Sequence, residues 1–418
     1  NAETTRGIHG QRARGLVSPM TEESVPIRWD PYSVEIDNDP YPIWKRMRDE
    51  QPVYRNDDLD FWALSRFSDV DAASRDTATF SSAHGTVLER MGPERAGGGM
   101  MIFLDPPEHT GLRRLVSRAF TPRKVKDLEQ RIRTICRDLL LAQVDGPGFD
   151  YVTDFAAQVP SRVISSLVGV PPEDQEEQRR NVDGMFHIEP GVGMSNHKSA
   201  ESALALIEYL SHLMESRTAV PQGDLMSDLV SAELVGDDGT VRRLNADECI
   251  EFAILLYTAG TETVAKMLGN AAVLLAEHHD QRKELVANPE MLPNAVEEIL
   301  RYEPPSPVNG RWTTKPVTLH GVTIPAQSRI LLLTGSAGRD ERAYVNADAF
   351  DVHRTDGQHL SFGYGIHFCI GAALARMEGR IALEETFSLF PEWEVKKDEV
   401  VRAHTSTVRG YSSVPVTL

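Results

Sequence analysis

The feature that most constrains this chain is a proline-free stretch from Asn245 to about His278. Asn245, followed three residues later by Glu248, reads as an N-cap with its capping-box acid. About 33 residues of helix span about 50 Å, so a helix of this length has to cross the centre of a compact domain. Its middle should be apolar, and Phe252 to Tyr257 is. Then come Ala259, Gly260, Thr261, Glu262 and Thr263. A glycine, a carboxylate and hydroxyls are expensive in the middle of a core helix. A local conflict of this kind marks a functional site.

The remaining segments also read mainly as helix. Asp39 to Glu50 carries Ile43, Trp44 and Met47 at helical spacing. Val53–Arg55 and Phe61–Ser65 flank a turn-like Asn56-Asp57-Asp58, a hairpin signal. A second strand pair, Val317–Leu319 and Val322–Ile324, brackets His320-Gly321 and is followed by Arg329–Leu333. Ser81–Met101 and Phe186–His197 are glycine- and proline-bearing loops. No repeat, low-complexity tract or linker divides the chain. The expectation is a mainly α, single compact domain with small β-sheets over residues 26–418, preceded by a flexible arm at 1–25.

Composition narrows the function. A net charge of −18 argues against nucleic-acid binding, which needs a basic footprint. Three cysteines in 418 residues cannot build a disulfide framework, and there is no CxxC pair for structural zinc. No run of about 18 apolar residues occurs, and the N-terminus has no signal-peptide core. A cytoplasmic enzyme without a membrane anchor is expected.

A second concentration of unusual residues is Phe362-Gly363-Tyr364-Gly365-Ile366-His367-Phe368-Cys369-Ile370-Gly371. Beyond it Leu374, Met377 and Ile381 share a helical face, and Pro391 follows. Cys369 thus opens a helix, where free N–H groups and the helix dipole favour a thiolate. Metal ligation and nucleophilic attack both suit such a thiol, and a buried structural cysteine is the bland alternative. A dinucleotide loop fails because Phe368 stands where the third glycine is needed. Zinc through His367 and Cys369 lacks further ligands.

The ten-residue segment resembles the haem-thiolate signature of cytochromes P450, FGxGxHxCxG, at every fixed position. Other motifs follow the family's order. Glu298-Ile299-Leu300-Arg301 resembles its ExxR pair, and Arg354 its third network member. Ala259–Thr263 is similar to the central-helix motif, and His109–Arg113 to the HxxxR motif. The resemblance covers roughly residues 30–418 and looks like the bacterial branch without a membrane anchor. It implies a prism-shaped helical fold and haem b (iron protoporphyrin IX) ligated by Cys369, whose thiolate favours O–O cleavage. Phe362, Gly363, Gly365 and Gly371 would pack or open the loop, and His109, Arg113, Arg311 and His367 would hold the propionates. Gly260, beside Ala259, would open the oxygen groove, and Glu262 and Thr263 would deliver protons.

The same resemblance makes Glu298, Arg301 and Arg354 structural. It draws the substrate pocket from Ala83–Met101, Phe186–His197, Leu255, Ala259, Pro305–Val308 and Ser406–Val408, with Pro305, Val308 and Thr407 among the named contacts. Arg114, Arg118, Arg123 and Lys124 form a basic face for an acidic ferredoxin. The implied activity is insertion of one oxygen atom from O2 into a hydrophobic terpenoid, lipid, steroid or polyketide-like molecule, by hydroxylation or epoxidation, in a monomer. The alternatives are a haem-thiolate peroxygenase, isomerase or dehydratase, a haem-based binder, and a helical protein with a structural cysteine alone.

Overall fold

The computed structural model describes residues 25–418 except 97, 98, 119, 188, 190–192, 194, 195, 236–239, 356 and 406. The arm read at residues 1–25 therefore lies outside the described residues, Val25 excepted, as do parts of the two loops and Ser406.

The helices that build the site are α1 (Phe67–Arg75), α2 (Glu108–Val116), α3 (Gln158–Val168), α4 (Gln175–Met185), α5 (His197–Ala219), α6 (Ala246–Glu277), α7 (Leu292–Tyr302) and α8 (Ala372–Leu389). The long helix forms as expected. Asn245 Oδ1 accepts the Glu248 N–H, and the Glu248 carboxylate accepts the Asn245 N–H, both at 2.9 Å. This reciprocal cap satisfies two end groups that the helix cannot pair internally. His278 stands at the C-cap.

The two halves of α6 belong to different cores. Cys249, Phe252, Ala253, Ile254, Leu256 and Tyr257 pack with residues of α2 to α5. Val264, Met267, Leu268, Ala271 and Leu275 pack with residues of α7 and α8. The polar belt at 258–263 falls at the junction between them. Its hydroxyls are satisfied locally, because Thr258, Thr261 and Thr263 each donate to the carbonyl four residues back, at 2.7–2.8 Å. Back-bonding of this kind lets a hydroxyl sit in a helix without an external partner.

A five-stranded sheet closes the other side: β1 (Val53–Asn56), β2 (Phe61–Leu64), β3 (Phe80–Ser81), β4 (Asn309–Thr313) and β5 (Arg329–Leu332), in the order β1-β2-β5-β4-β3. The β5–β2 pair is parallel and the others antiparallel. The expected hairpin at 53–65 and the turn at His320-Gly321 are both present, the latter with φ of 51° and 79°. Strand β4 and the hairpin Val401–His404 with Arg409–Ser413 were not expected. Both carry arginines and glycines in place of a clean apolar alternation.

Candidate active site

Cys369 lies three residues before α8, with Gly371 at the N-cap. The loop is shaped by glycines that a side chain could not replace. Gly363 and Gly365 both have φ of 67°, a left-handed conformation costly for other residues. A Cβ on Gly365 would also stand 2.7 Å from the Ser74 carbonyl oxygen of α1. Gly371 differs: the nearest atom to its Cβ position is Cys369 Sγ at 4.0 Å, so the chain alone does not demand glycine there. The Cys369 N–H donates to the Phe362 carbonyl at 2.8 Å, tying the loop back on itself.

The sequence-based argument that the helix start alone stabilises a thiolate is corrected by burial. Desolvation raises the Cys369 thiol above its ordinary range and outweighs the Gly371 N–H and the charges of Arg113 and Arg376. A thiolate at this position needs a cation at sulfur.

Sγ opens into a cavity of about 270 Å³. Its walls include Leu255, Ala259, Gly260 and Thr263 from α6, Arg113 from α2, Pro305, Arg311 from β4, and Phe362, Gly363, His367 and Gly371 from the cysteine loop. Segments more than 250 residues apart in sequence thus converge as expected. Val308 and Thr407 do not join them. They line a separate small crevice with Trp29, Trp44 and Arg409, because β4 turns Val308 into the core formed by Trp29, Trp44 and Phe61. Gly365 also stays outside the cavity wall, packed on α1.

One end of the cavity collects positive charge without compensation. Arg311 is buried, and among the described residues its guanidinium bonds only the Gly310 carbonyl, at 2.7 Å. Burial lowers its pKa to about 10, with partial relief from Asp105. Arg113 has no ion pair or side-chain hydrogen bond among the described residues, and burial lowers its pKa too. The rings of His109 and His367 lie 4.4 Å apart. Both nitrogens of His109, Nε2 of His367 and Oγ of Ser82 are buried without partners. Burial first, then neighbouring arginines, depresses the two imidazoles to about 4 and about 3. One buried and one half-buried cation with four orphaned polar atoms fit a ligand bearing two carboxylates. A thiol at the opposite wall fits its metal.

Behind the loop the charges are fully paired. Arg301 meets both carboxylate oxygens of Glu298 at 2.6 and 2.7 Å and donates to the carbonyls of Gly338, Ala347 and Ala349. Arg354 joins Glu298 at 3.2 Å, and the Asp351 N–H donates to the same carboxylate at 2.8 Å. This network holds the segment leading into the cysteine loop, and none of its members lines the cavity.

Glu262 does not line the cavity either. It pairs with Lys266 at 3.3 Å, and both side chains are about one-tenth exposed. It also lies close to Asp183 on α4, a partly exposed carboxyl whose pKa rises to about 6 through desolvation and the charge of Glu262, against Arg179. Thr263 faces the cavity, but its one hydroxyl proton goes to the Ala259 carbonyl. It therefore offers lone pairs to the cavity in this conformation, contrary to the expected donor role. A Cβ at Gly260 would approach Ile164 of α3 to 3.1 Å, so this glycine also serves helix packing.

Sequence reasoning missed Asp183, Lys266, Ser82 and Glu378. Glu378 lines the cavity, is 3% exposed, and has no hydrogen bond or ion pair among the described residues. Burial alone raises its pKa to about 8. Its signal was present: it stands four residues after Leu374, on the apolar face of α8.

A helical fold that sets a half-buried cysteine opposite a polar belt, with unpaired cations at one edge, defines a haem-thiolate protein. The cytochrome P450 family profile matches residues 63–413. The erythromycin C-12 hydroxylase of Saccharopolyspora erythraea is 39% identical over 376 residues, 88% of this chain and 92% of that protein. The vitamin D(3) 25-hydroxylase of Pseudonocardia autotrophica is 38% identical over 387 residues, 91% and 94% of the two chains. A solved structure of a P450 EryK mutant in complex with erythromycin B superposes with a TM-score of 0.82 at 36% identity, covering 90% of this chain and 95% of that one. The chain belongs to the cytochrome P450 family. It is a P450 monooxygenase, its cofactor is haem b ligated by a cysteine thiolate, and it uses O2, an electron donor and a hydrophobic substrate. Among the described residues no helix is long and apolar enough to cross a membrane.

Proposed function

We propose that this enzyme hydroxylates or epoxidises a bulky, uncharged alicyclic molecule of the polyketide or steroid type. The observation that carries this reading is the cavity wall. Met101, Ile102, Ile164, Phe252, Leu255 and Leu256 form an apolar surface, and Thr86, Ser306 and Asn309 stand among the polar lining residues. The arginines in the wall are Arg113 and Arg311, which we assign to the haem carboxylates. Among the described residues no lysine lines it, so a substrate carboxylate would find no cation there. The relatives named as hydroxylases of erythromycin and vitamin D(3) agree with large, mostly apolar substrates.

Haem supplies dioxygen binding and activation on reduction. Cys369 holds the iron, and Arg113, Arg311, His109 and His367 hold the carboxylates. The apolar wall excludes water and orients the substrate. Asp183, with its side chain 42% exposed, takes protons from solvent and passes them to Glu262. Glu262 rotates off Lys266 to reach the Thr263 hydroxyl. Titration with a macrolide lactone, a secosteroid and a long-chain fatty acid, followed by the haem spin-state shift, tests the substrate class. A response to the fatty acid alone would sink it.

Electrons reach the haem from a separate acidic ferredoxin at the basic face. Arg114, Arg118 and Arg123 are exposed and free of ion pairs among the described residues, whereas Lys124 pairs with Asp228 at 2.9 Å. We place the enzyme in the cytoplasm as a single chain; its three free cysteines suit a reducing compartment.

A further inference from the structure

A second charged network touches the cysteine loop, and the ExxR resemblance does not include it. Arg376 on α8 forms a two-pronged pair with Glu297 of α7, at 2.7 and 2.8 Å. His359 approaches the same carboxylate through Nε2 at 3.1 Å. His359 Nδ1 accepts the Ser361 backbone N–H at 3.2 Å, so Nε2 carries the ring proton and donates it to Glu297. Arg376 and His359 converge on Phe362, where Phe368 joins them. The Arg376 guanidinium lies 4.5 Å from the ring centroid, the His359 ring 5.7 Å and the Phe368 ring 6.3 Å. Phe362 in turn lines the cavity and accepts the Cys369 backbone N–H.

We infer that Glu297, Arg376 and His359 are positioning residues that clamp Phe362 beside the sulfur and set the reduction potential of the haem through the balance of the Glu297–Arg376 charges. The pair is neutral as a unit, and its fork geometry fixes where each charge stands. Glu297 remains ionised across the working range, because Arg376 and His359 overcome the effect of burial and hold its pKa near 2. Removing either partner leaves one unit charge beside the Phe362 ring, on the residue whose carbonyl holds the Cys369 N–H. Reduction of ferric haem adds one negative charge, so an unmatched cation favours the reduced form and an unmatched anion opposes it.

The test is a mediator titration of the substrate-free holoprotein, monitored by its spectrum. Glu297→Gln should raise the ferrous-to-ferric ratio at fixed potential by roughly threefold, since both partners are partly exposed and screened. Arg376→Gln should lower the ratio by a similar factor, and the double variant should return close to the parent. Both shifts should shrink at high salt. Loosening of the loop would move both single variants in the same direction, and that result would overturn the inference. So would unchanged potentials in variants that retain the thiolate-type carbon monoxide spectrum. If Arg376→Gln loses that spectrum, Arg376→Lys and Glu297→Gln carry the test. The first should leave the potential near the parent value and the second should raise it; a shift in the first equal to that in the second overturns the proposal.

Discussion

Two charged clusters lie on either side of the cysteine loop, and they are built on opposite principles. Behind the loop, Glu298, Arg301 and Arg354 satisfy one another and the carbonyls of Gly338, Ala347 and Ala349. At the edge of the cavity, Arg113, Arg311, His109 and His367 carry two cations and several orphaned polar atoms with no acid in direct contact. Both clusters are desolvated, which costs several kcal/mol per ion when no partner compensates. The first recovers that cost within the chain. The second can recover it only from a ligand. Paired buried charge therefore marks scaffold here, and unpaired buried charge marks the cofactor edge.

The sharpest way to break the contrast is to unpair the scaffold. Arg301→Ala leaves Glu298 buried with Arg354 as its one cation and strips the Gly338 and Ala347 carbonyls of their donor. We expect a loss of about 3–5 kcal/mol in urea unfolding, with holoprotein yield falling in parallel. The same kind of change on the other side should act differently. Arg311→Met removes an uncompensated cation, so the haem-free chain should be as stable as the parent or more so. Haem retention should fall by about 1.5–3 kcal/mol, the scale of a hydrogen bond to a charged group, seen as faster transfer of haem to an acceptor protein. If Arg311→Met destabilises the haem-free chain as strongly as Arg301→Ala does, the distinction between the clusters fails.

Glu378 offers a finer test, because it is unpaired yet carries no net charge when protonated. Its folded pKa of about 8 lies above the ordinary carboxyl value. The folded chain thus binds the proton more tightly, and the stability this contributes is complete below about pH 4.5 and lost as pH rises to about 8. Across that window, unfolding free energy should fall with pH more steeply than in Glu378→Gln, by up to about 1.4 kcal/mol per pH unit. Equal slopes for the two proteins in pH-dependent denaturation would show that Glu378 is ionised or solvated.

The smallest effect is expected on the surface. Arg118→Gln should slow ferredoxin-driven reduction by about twofold to fivefold at low salt. Lys124→Gln should do less, because its ammonium already meets Asp228. The rates of both variants should converge on the parent's as salt is raised, and persistence of the difference would remove the electrostatic contact.

The long helix was legible because its evidence is local: a cap, a capping-box acid and no proline over many turns. The cysteine loop was legible for the same reason, since its glycines and His367 stand within ten residues of one another. Leu255, Pro305 and Arg311 also reached the cavity as expected. Val308 did not: it precedes β4 and enters the core of Trp29, Trp44 and Phe61, while its neighbour Asn309 lines the cavity, as successive residues of extended chain face opposite ways. The same limit applies to Glu262. Its position next to Thr263 places it on a neighbouring but different helical face, and only the arrival of α4 with Asp183 decides what that face meets.

The sequence by itself determined that this chain makes one core-crossing helix with a polar belt, a glycine-shaped cysteine loop and the paired Glu298–Arg301 turn. Each rests on residues close together in the chain, where helix period, caps and backbone freedom act directly. Tertiary structure alone decided which charges are paired and which are left for a ligand. That choice depends on desolvation and on partners hundreds of residues away, as with Arg376 against Glu297 or Arg311 with no acid in contact. Burial and long-range pairing are properties of the packed chain, so they appear only when its two cores close around the helix they share.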